Sequence, residues 1–173
     1  MQIRSFGFDV REEEPGDLDA IEAVIVSAFL SAPRSSRTEH IIVRALRSSR
    51  QLAVSLIATF REEVLGHVAA SPVSLSSGQS GWYGLGPVSV TPAHQGRGVG
   101  QCLIKGTLSR LRALGAQGCV VLGSAGYYSR FGFTSIPSLV LPGATPEHFQ
   151  AISFACLPPT AVVSYHESFV AHG

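Results

Sequence analysis

Gln95-Gly96-Arg97-Gly98-Val99-Gly100 gathers three glycines, a side-chain amide and a guanidinium into six residues. It lies between an apolar run, Leu85 to Val90, and a helical pattern that begins near Gly98. That combination is the chemistry of anion binding. Glycines can take positive φ and let backbone approach a ligand, while the free amides and dipole at a helix start favour a phosphate. Arg97 adds a cation. The spacing is not G-x-G-x-x-G, and no Gly-Lys-Ser/Thr follows as a nucleotide P-loop requires. A glycine turn without a ligand is the plainer reading of the same residues.

A second group of reactive types is Tyr127-Tyr128-Ser129-Arg130-Phe131-Gly132-Phe133. A tyrosine hydroxyl can donate a proton, although a packed ring with a satisfied hydroxyl is its commoner fate. Read together with Val88-Ser89-Val90-Thr91-Pro92, Gly66-His67-Val68 and Ser71-Pro72-Val73, these segments resemble the GNAT superfamily of acyl-CoA N-acyltransferases. In that family Gln/Arg-x-x-Gly-x-Gly/Ala holds the pyrophosphate of coenzyme A, and Gln95, Gly98 and Gly100 match it. A tyrosine four residues before the glycine of a Gly-Phe pair is the family's usual proton donor to the departing thiolate, here Tyr128. The resemblance covers most of the chain and extends to a branch of small bacterial predicted N-acetyltransferases.

The resemblance implies a mixed α/β fold, mostly antiparallel, with a splayed parallel central strand pair and helices on both faces. It implies that the coenzyme arm lies between the splayed strands, bonded to the backbone of Val88, Ser89 and Val90. The pyrophosphate would rest on Gln95, Gly96, Arg97, Gly98, Val99 and Gly100. Many family members carry an asparagine after the fifth strand; here Gly123-Ser124-Ala125-Gly126 offers only Ser124 as a side-chain partner. Acetyl-CoA is the expected donor and an amine of a small molecule or peptide the expected acceptor, with direct attack in a ternary complex.

An alkyl ammonium has a pKa of about 10.4, so the acceptor must lose a proton before it attacks. Glu39, His40, Glu62, Glu63, His67 and His166 are the candidate bases, with water as the alternative and His67 favoured because its strand would border the acceptor cleft. Each also has an ordinary reading: Glu62 and Glu63 as a solvated turn, a lone strand histidine as a hydrogen-bonded structural residue. A non-catalytic acyl-CoA-binding or regulatory domain would keep the glycine loop and lose the proton machinery; Tyr128 argues against it.

The chain of 173 residues is 45% hydrophobic and carries a net charge of +1, which suits one domain over residues 1–173 and gives no support to nucleic-acid or anionic-membrane binding. Neither a leader pattern nor a long apolar span is read, so a soluble cytoplasmic protein is expected, and a homodimer is allowed. Cys102, Cys119 and Cys156 are far apart without metal spacing, so no zinc site or disulfide framework is expected. Charge is unevenly placed. Val64 through Pro146 contains no Asp or Glu yet holds Arg97, Lys105, Arg110, Arg112 and Arg130, a field that suits a polyanionic ligand.

The elements that must position these groups follow from periodicity. Phe6, Phe8 and Val10 alternate as a strand; Leu18 to Phe29 and a segment with Ile42, Val43 and Leu46 read as helices. Gln51 to Phe60 and Val64 to Leu75 read as a hairpin around Arg61-Glu62-Glu63. Then come the strand Trp82 to Val90, with Gly84, Gly86 and Pro87 predicting a bulge, a helix stopped by Gly115, and a strand Cys119 to Leu122. That order predicts a crossover and a parallel pair. Thr145-Pro146-Glu147 is expected to start a short helix, and Ala161 to Val170 to form a final strand.

Overall fold

The structure is a computed structural model that describes residues 3–5, 7–155 and 157–170, the side chains of 3–5 excepted. Phe6 and Cys156 lie outside the described residues. The chain runs β1 (Ile3–Ser5), β2 (Phe8–Glu12), α1 (Leu18–Phe29), α2 (Glu39–Ser48), β3 (Val54–Phe60), β4 (Glu63–Pro72) and β5 (Ser74–Leu75). It continues with β6 (Trp82–Val90), α3 (Val99–Ala113), β7 (Gly118–Leu122), α4 (Ala125–Tyr128), β8 (Leu139–Val140), β9 (Phe149–Ser153), β10 (Ala161–Ser164) and α5 (Glu167–Val170).

Seven strands form the main sheet in the order β1-β2-β3-β4-β6-β7-β9. Every neighbouring pair is antiparallel except β6 and β7, which run parallel from Trp82↔Gly118 to Leu85↔Val121. The parallel pair needs a crossover, and α3 supplies it. Alternation along β4 assigns its two faces. Val68 and Ala70 pack with Leu103, Ile104, Leu108 and Leu111 of α3, whereas Ala69 packs with Ile21, Val24 and Ile25 of α1 and Val43 of α2. Gly66 lets α3 come close, since a Cβ there would lie 3.0 Å from Leu103 and 3.1 Å from Val99. A smaller sheet, β5-β10-β8, packs its Leu75, Val163 and Leu139 with Trp82, Val120 and Ala151 of the main sheet.

α3 ends as its sequence requires. Gly115 takes φ +78° and its N–H donates to the Arg112 carbonyl, while Ala116 N–H reaches back to Leu111, the paired bonds of a Schellman stop. Three expectations need correction. Thr145-Pro146-Glu147 forms a turn rather than a helix, with Phe149 N–H bonding to the Thr145 carbonyl, and it leads directly into β9. The last strand stops at Ser164, and Glu167–Val170 turns into a short helix with His166 Nδ1 accepting the Ser168 N–H. The run Val64 to Leu75 divides at Val73: β4 belongs to the main sheet and β5 to the smaller one.

The β3–β4 hairpin closes in two residues, Arg61 at φ 46° and Glu62 at φ 70°, with Phe60 opposite Glu63. Positive φ at both positions is the twist that suits a two-residue hairpin, but it is strained for side chains other than Asn, Asp or Gly. Replacing Arg61-Glu62 with Asn-Gly is therefore expected to stabilise the protein by ~1 kcal/mol and raise Tm by a few degrees in thermal unfolding. A lower Tm would contradict this account of the turn.

Candidate active site

The site begins with a mismatch between β6 and its neighbours. Against β4, Val68 pairs with Val88 but Ala70 with Leu85, so Gly86 and Pro87 stand opposite Ala69 alone. Gly86 takes φ +134°, a region few side chains tolerate, and Pro87 has no N–H to continue the ladder. On the other side, pairing with β7 ends at Leu85↔Val121. Gly86 to Val90 therefore borders β4 but not β7, and the two parallel strands splay apart.

The ladder phase decides which backbone groups face that gap. Thr91 N–H donates to the Leu65 carbonyl, so with Gly66↔Val90, His67↔Ser89 and Val68↔Val88 in register the hydrogen-bonded pairs are Thr91/Leu65 and Ser89/His67. Val88 and Val90 turn their N–H and C=O groups away from β4, toward the gap. Ser89 does not: its backbone is committed to His67, and its side chain is 1% exposed on the α1/α2 face with an unpartnered Oγ. Of the three residues expected to bond the coenzyme arm, Val88 and Val90 have the needed orientation and Ser89 is corrected to a spacer between them.

The loop after β6 turns through a short 3-10 helix at Pro92–His94, where Thr91 Oγ1 bonds His94 Nδ1. Gly96 and Gly98 take φ +73° and +84°. Gly100 does not adopt positive φ. It sits in the first turn of α3, and a Cβ there would lie 3.1 Å from the Tyr127 hydroxyl. The first α3 bond runs from Cys102 N–H to the Gly98 carbonyl, leaving the amides of Val99, Gly100 and Gln101 without intrahelical acceptors. Gln95 folds back, its Nε2 donating to the Val90 carbonyl at 3.0 Å, and so fixes the loop to the strand.

A cleft of about 380 Å³ opens over these amides, lined by the loop glycines, Val90, Gln95, His94, Gln101, Tyr127 and Arg130. Arg97 points elsewhere: it is exposed and lines a separate cavity with Phe8, Phe60 and Leu65. Ser124 opens α4, accepting the N–H groups of Tyr127 and Tyr128 on its carbonyl, and does not line the cleft.

The two tyrosines of α4 diverge. Tyr128 lies over Gly123, just past the end of β7, where any Cβ would collide with its ring, and meets Phe133 edge-on at 5.9 Å. Burial pushes its hydroxyl up to about 12, so at neutral pH it holds its proton. Tyr127 instead reaches α3, and the Arg130 guanidinium stacks on its ring at 4.7 Å. His94, Gln101, Tyr127 and Arg130 were missed as lining residues. The i, i+3 spacing of Tyr127 and Arg130, one helical turn apart, was the available signal.

The candidate bases are occupied or remote from this cleft. Glu39 accepts a bond from Ser35, Glu62 and Glu63 are exposed in the hairpin, His40 lines a groove between α1 and α2, and His166 bonds Ser168. His67 is fully buried, its Nε2 2.8 Å from Ser55 Oγ. Ser55 also donates to Glu13, which Arg47 grips through two bonds of 2.8 and 2.7 Å. With the Ser55 proton directed at the carboxylate, His67 donates through Nε2 and its unpartnered Nδ1 faces the interior. Burial opposes ionisation of Glu13, but the bonds from Arg47 and Ser55 outweigh it and hold its pKa below the usual carboxylate range. Burial lowers His67 to about 4.

The unfolded chain thus takes up a His67 proton near pH 6.5, whereas the folded one resists until about pH 4. Stability should be lost as pH falls through that window, by ~3 kcal/mol if the full difference is expressed. Urea titrations should show His67→Gln with a flatter pH dependence between 6.5 and 4; an unchanged slope would contradict this placement.

The acetyltransferase (GNAT) domain family matches residues 51–135. The chain is 33% identical over 168 residues to a protein of Escherichia coli K12 named uncharacterized N-acetyltransferase YhbS, covering 92% of this chain and 97% of that one. Among solved structures, a GNAT family acetyltransferase from Brucella melitensis in complex with acetyl-CoA is 43% identical, with a TM-score of 0.84 over 94% of this chain and 97% of that one. The Escherichia coli YhbS structure in complex with CoA is 32% identical, with a TM-score of 0.86 over 97% of this chain and 94% of that one. A splayed parallel pair, a glycine loop on a helix start and a half-buried tyrosine packed on the same core are thus found in a chain that belongs to the GNAT family of N-acetyltransferases.

Proposed function

We propose that this acetyltransferase moves an acetyl group from acetyl-CoA to a primary amine of a small molecule or peptide by direct attack. The reading rests on one observation above others: the Val88 and Val90 N–H groups, turned away from β4 and without a partner strand, lead straight to the free amides of Val99, Gly100 and Gln101. An extended amide-bearing arm ending in phosphates matches that series of donors and acceptors, bonding first like an added strand and then like a helix-bound anion. The crystallised relatives from Brucella melitensis and Escherichia coli hold acetyl-CoA and CoA, which supports the same ligand here.

In this reading the Val88 and Val90 amides hold the arm and one of them receives the oxyanion as the amine attacks. Tyr128 gives its proton to the sulfur as the carbon–sulfur bond breaks, and its raised pKa keeps that proton in place until then. The ammonium proton of the acceptor leaves to water, because the carboxylates and histidines considered as bases are bonded, buried or remote from the cleft. Among the described residues no group of three or more His, Cys, Asp or Glu is placed to hold a metal, and none is used. No described helix is long and apolar enough to cross a membrane. A bacterial, cytoplasmic protein with one catalytic domain over residues 1–173, working without nucleic acid or membrane and free to dimerise, completes the proposal.

A thiol-release assay with acetyl-CoA against polyamines, aminoglycosides and peptide N-termini tests it. Release with one acceptor class is expected; none with any amine would favour a coenzyme-binding domain without catalysis. With that acceptor saturating and chemistry rate-limiting, Tyr128→Phe should lower kcat by roughly 10²-fold while acetyl-CoA affinity stays within about threefold. An unchanged kcat would reduce Tyr128 to a packing residue.

A further inference from the structure

Resting on the coenzyme reading above, we infer that Arg130, held over the Tyr127 ring, is the cation that receives the coenzyme pyrophosphate, and that the Tyr127 hydroxyl is a second side-chain donor to it. The loop itself supplies only amides on the cleft side. Arg97 and Arg130 are both exposed, but Arg97 lines the cavity behind the loop and not the cleft, so the glycine motif by itself brings no cation to the anion.

Arg130 fills that role by geometry. It lines the same cleft as Gly96, Gly98, Gly100 and Gln101, and its guanidinium centre is 4.7 Å from the Tyr127 ring centroid. Stacking leaves the edge N–H donors of a guanidinium free for an anion, and a planar fork suits two phosphate oxygens at once. The Tyr127 hydroxyl, 3.1 Å from where a Gly100 Cβ would lie, explains why that position in the first helical turn is glycine although its φ is ordinary. The space a side chain would take belongs to the hydroxyl, beside the free amides. No Asp or Glu from Val64 through Pro146 competes for the guanidinium in sequence, and no ion pair of Arg130 is present among those of the described residues.

Burial raises the Tyr127 hydroxyl against the opposing effect of Arg130, so it is present as a donor at neutral pH. In this reading the adjacent tyrosines serve different ends of the same ligand, Tyr128 the sulfur and Tyr127 the phosphates.

Calorimetry with CoA and with dephospho-CoA, which keeps the pyrophosphate but lacks the 3′-phosphate, tests this directly. Arg130→Gln should weaken both ligands about tenfold, the loss of one charge-assisted bond, and more than Arg97→Gln does. Arg130→Lys should recover part of the loss, because the charge returns without the fork. Tyr127→Phe should weaken both ligands by about threefold to tenfold. Thermal unfolding of each variant checks that the fold is kept. A loss confined to CoA would move Arg130 to the 3′-phosphate and overturn the assignment. So would unchanged affinity in Arg130→Gln while Gly98→Val abolishes binding, or a larger loss in Arg97→Gln. Failure of the unaltered protein to bind either ligand would overturn the coenzyme reading itself.

Discussion

Everything at this site depends on where β6 stops pairing with β7. One extra residue in β6, at Gly86 and Pro87 opposite Ala69, bends the strand as its parallel ladder ends at Leu85↔Val121. Backbone N–H and C=O groups inside a protein are nearly always paired, and an opening that leaves them unpaired creates a demand that an extended polar ligand can meet. Val88 and Val90 present that demand on alternate residues through their N–H groups and the Val88 carbonyl, the Val90 carbonyl being held by Gln95. Ser89 between them is tied into β4 and keeps the edge straight.

The remaining elements hold that opening in position. α3 is pressed close to β4 by the missing side chain of Gly66 and is ended by the Gly115 stop, so its amino end lies beside the last residues of β6. Gln95 ties the loop back to Val90. On the opposite face, the chain Arg47–Glu13–Ser55–His67 joins α2 to the residue after β2 and to β3 and β4 through partly buried polar contacts. Removing one member of such a chain leaves the others unpaired, which makes it costly to disturb and well suited to fixing one arrangement of α2. Its histidine serves the fold.

Sequence patterns revealed the site's frame better than its lining. Gly96, Gly98 and the helix after them were legible because positive φ and helix starts have local signatures, and the Gly84–Pro87 cluster foretold the bulge. The hairpin was legible from its two apolar runs although Arg61-Glu62 is a poor turn sequence. β9 was not, because Phe149–Ser153 owes its extended form to pairing with β7, a partner 30 residues away that no local pattern names. Arg97 misled for a related reason: adjacency in sequence to a glycine loop does not set which side of the loop a long side chain occupies. Arg130 enters the cleft from the 3-10 turn Ser129–Phe131 that follows α4, and His67 is withdrawn from the acceptor side by burial that alternation along β4 alone could not measure.

Amide hydrogen exchange at single-residue resolution, with and without CoA, tests the central claim most directly. The N–H groups of Val88 and Val90 should exchange readily in the free protein and become strongly protected when CoA binds, whereas Ser89, already bonded to His67, should be protected in both states. Saturation with CoA that leaves Val88 and Val90 unprotected would contradict an arm bonded to the splayed strand. So would Ser89 exchanging as fast as its neighbours in the free protein.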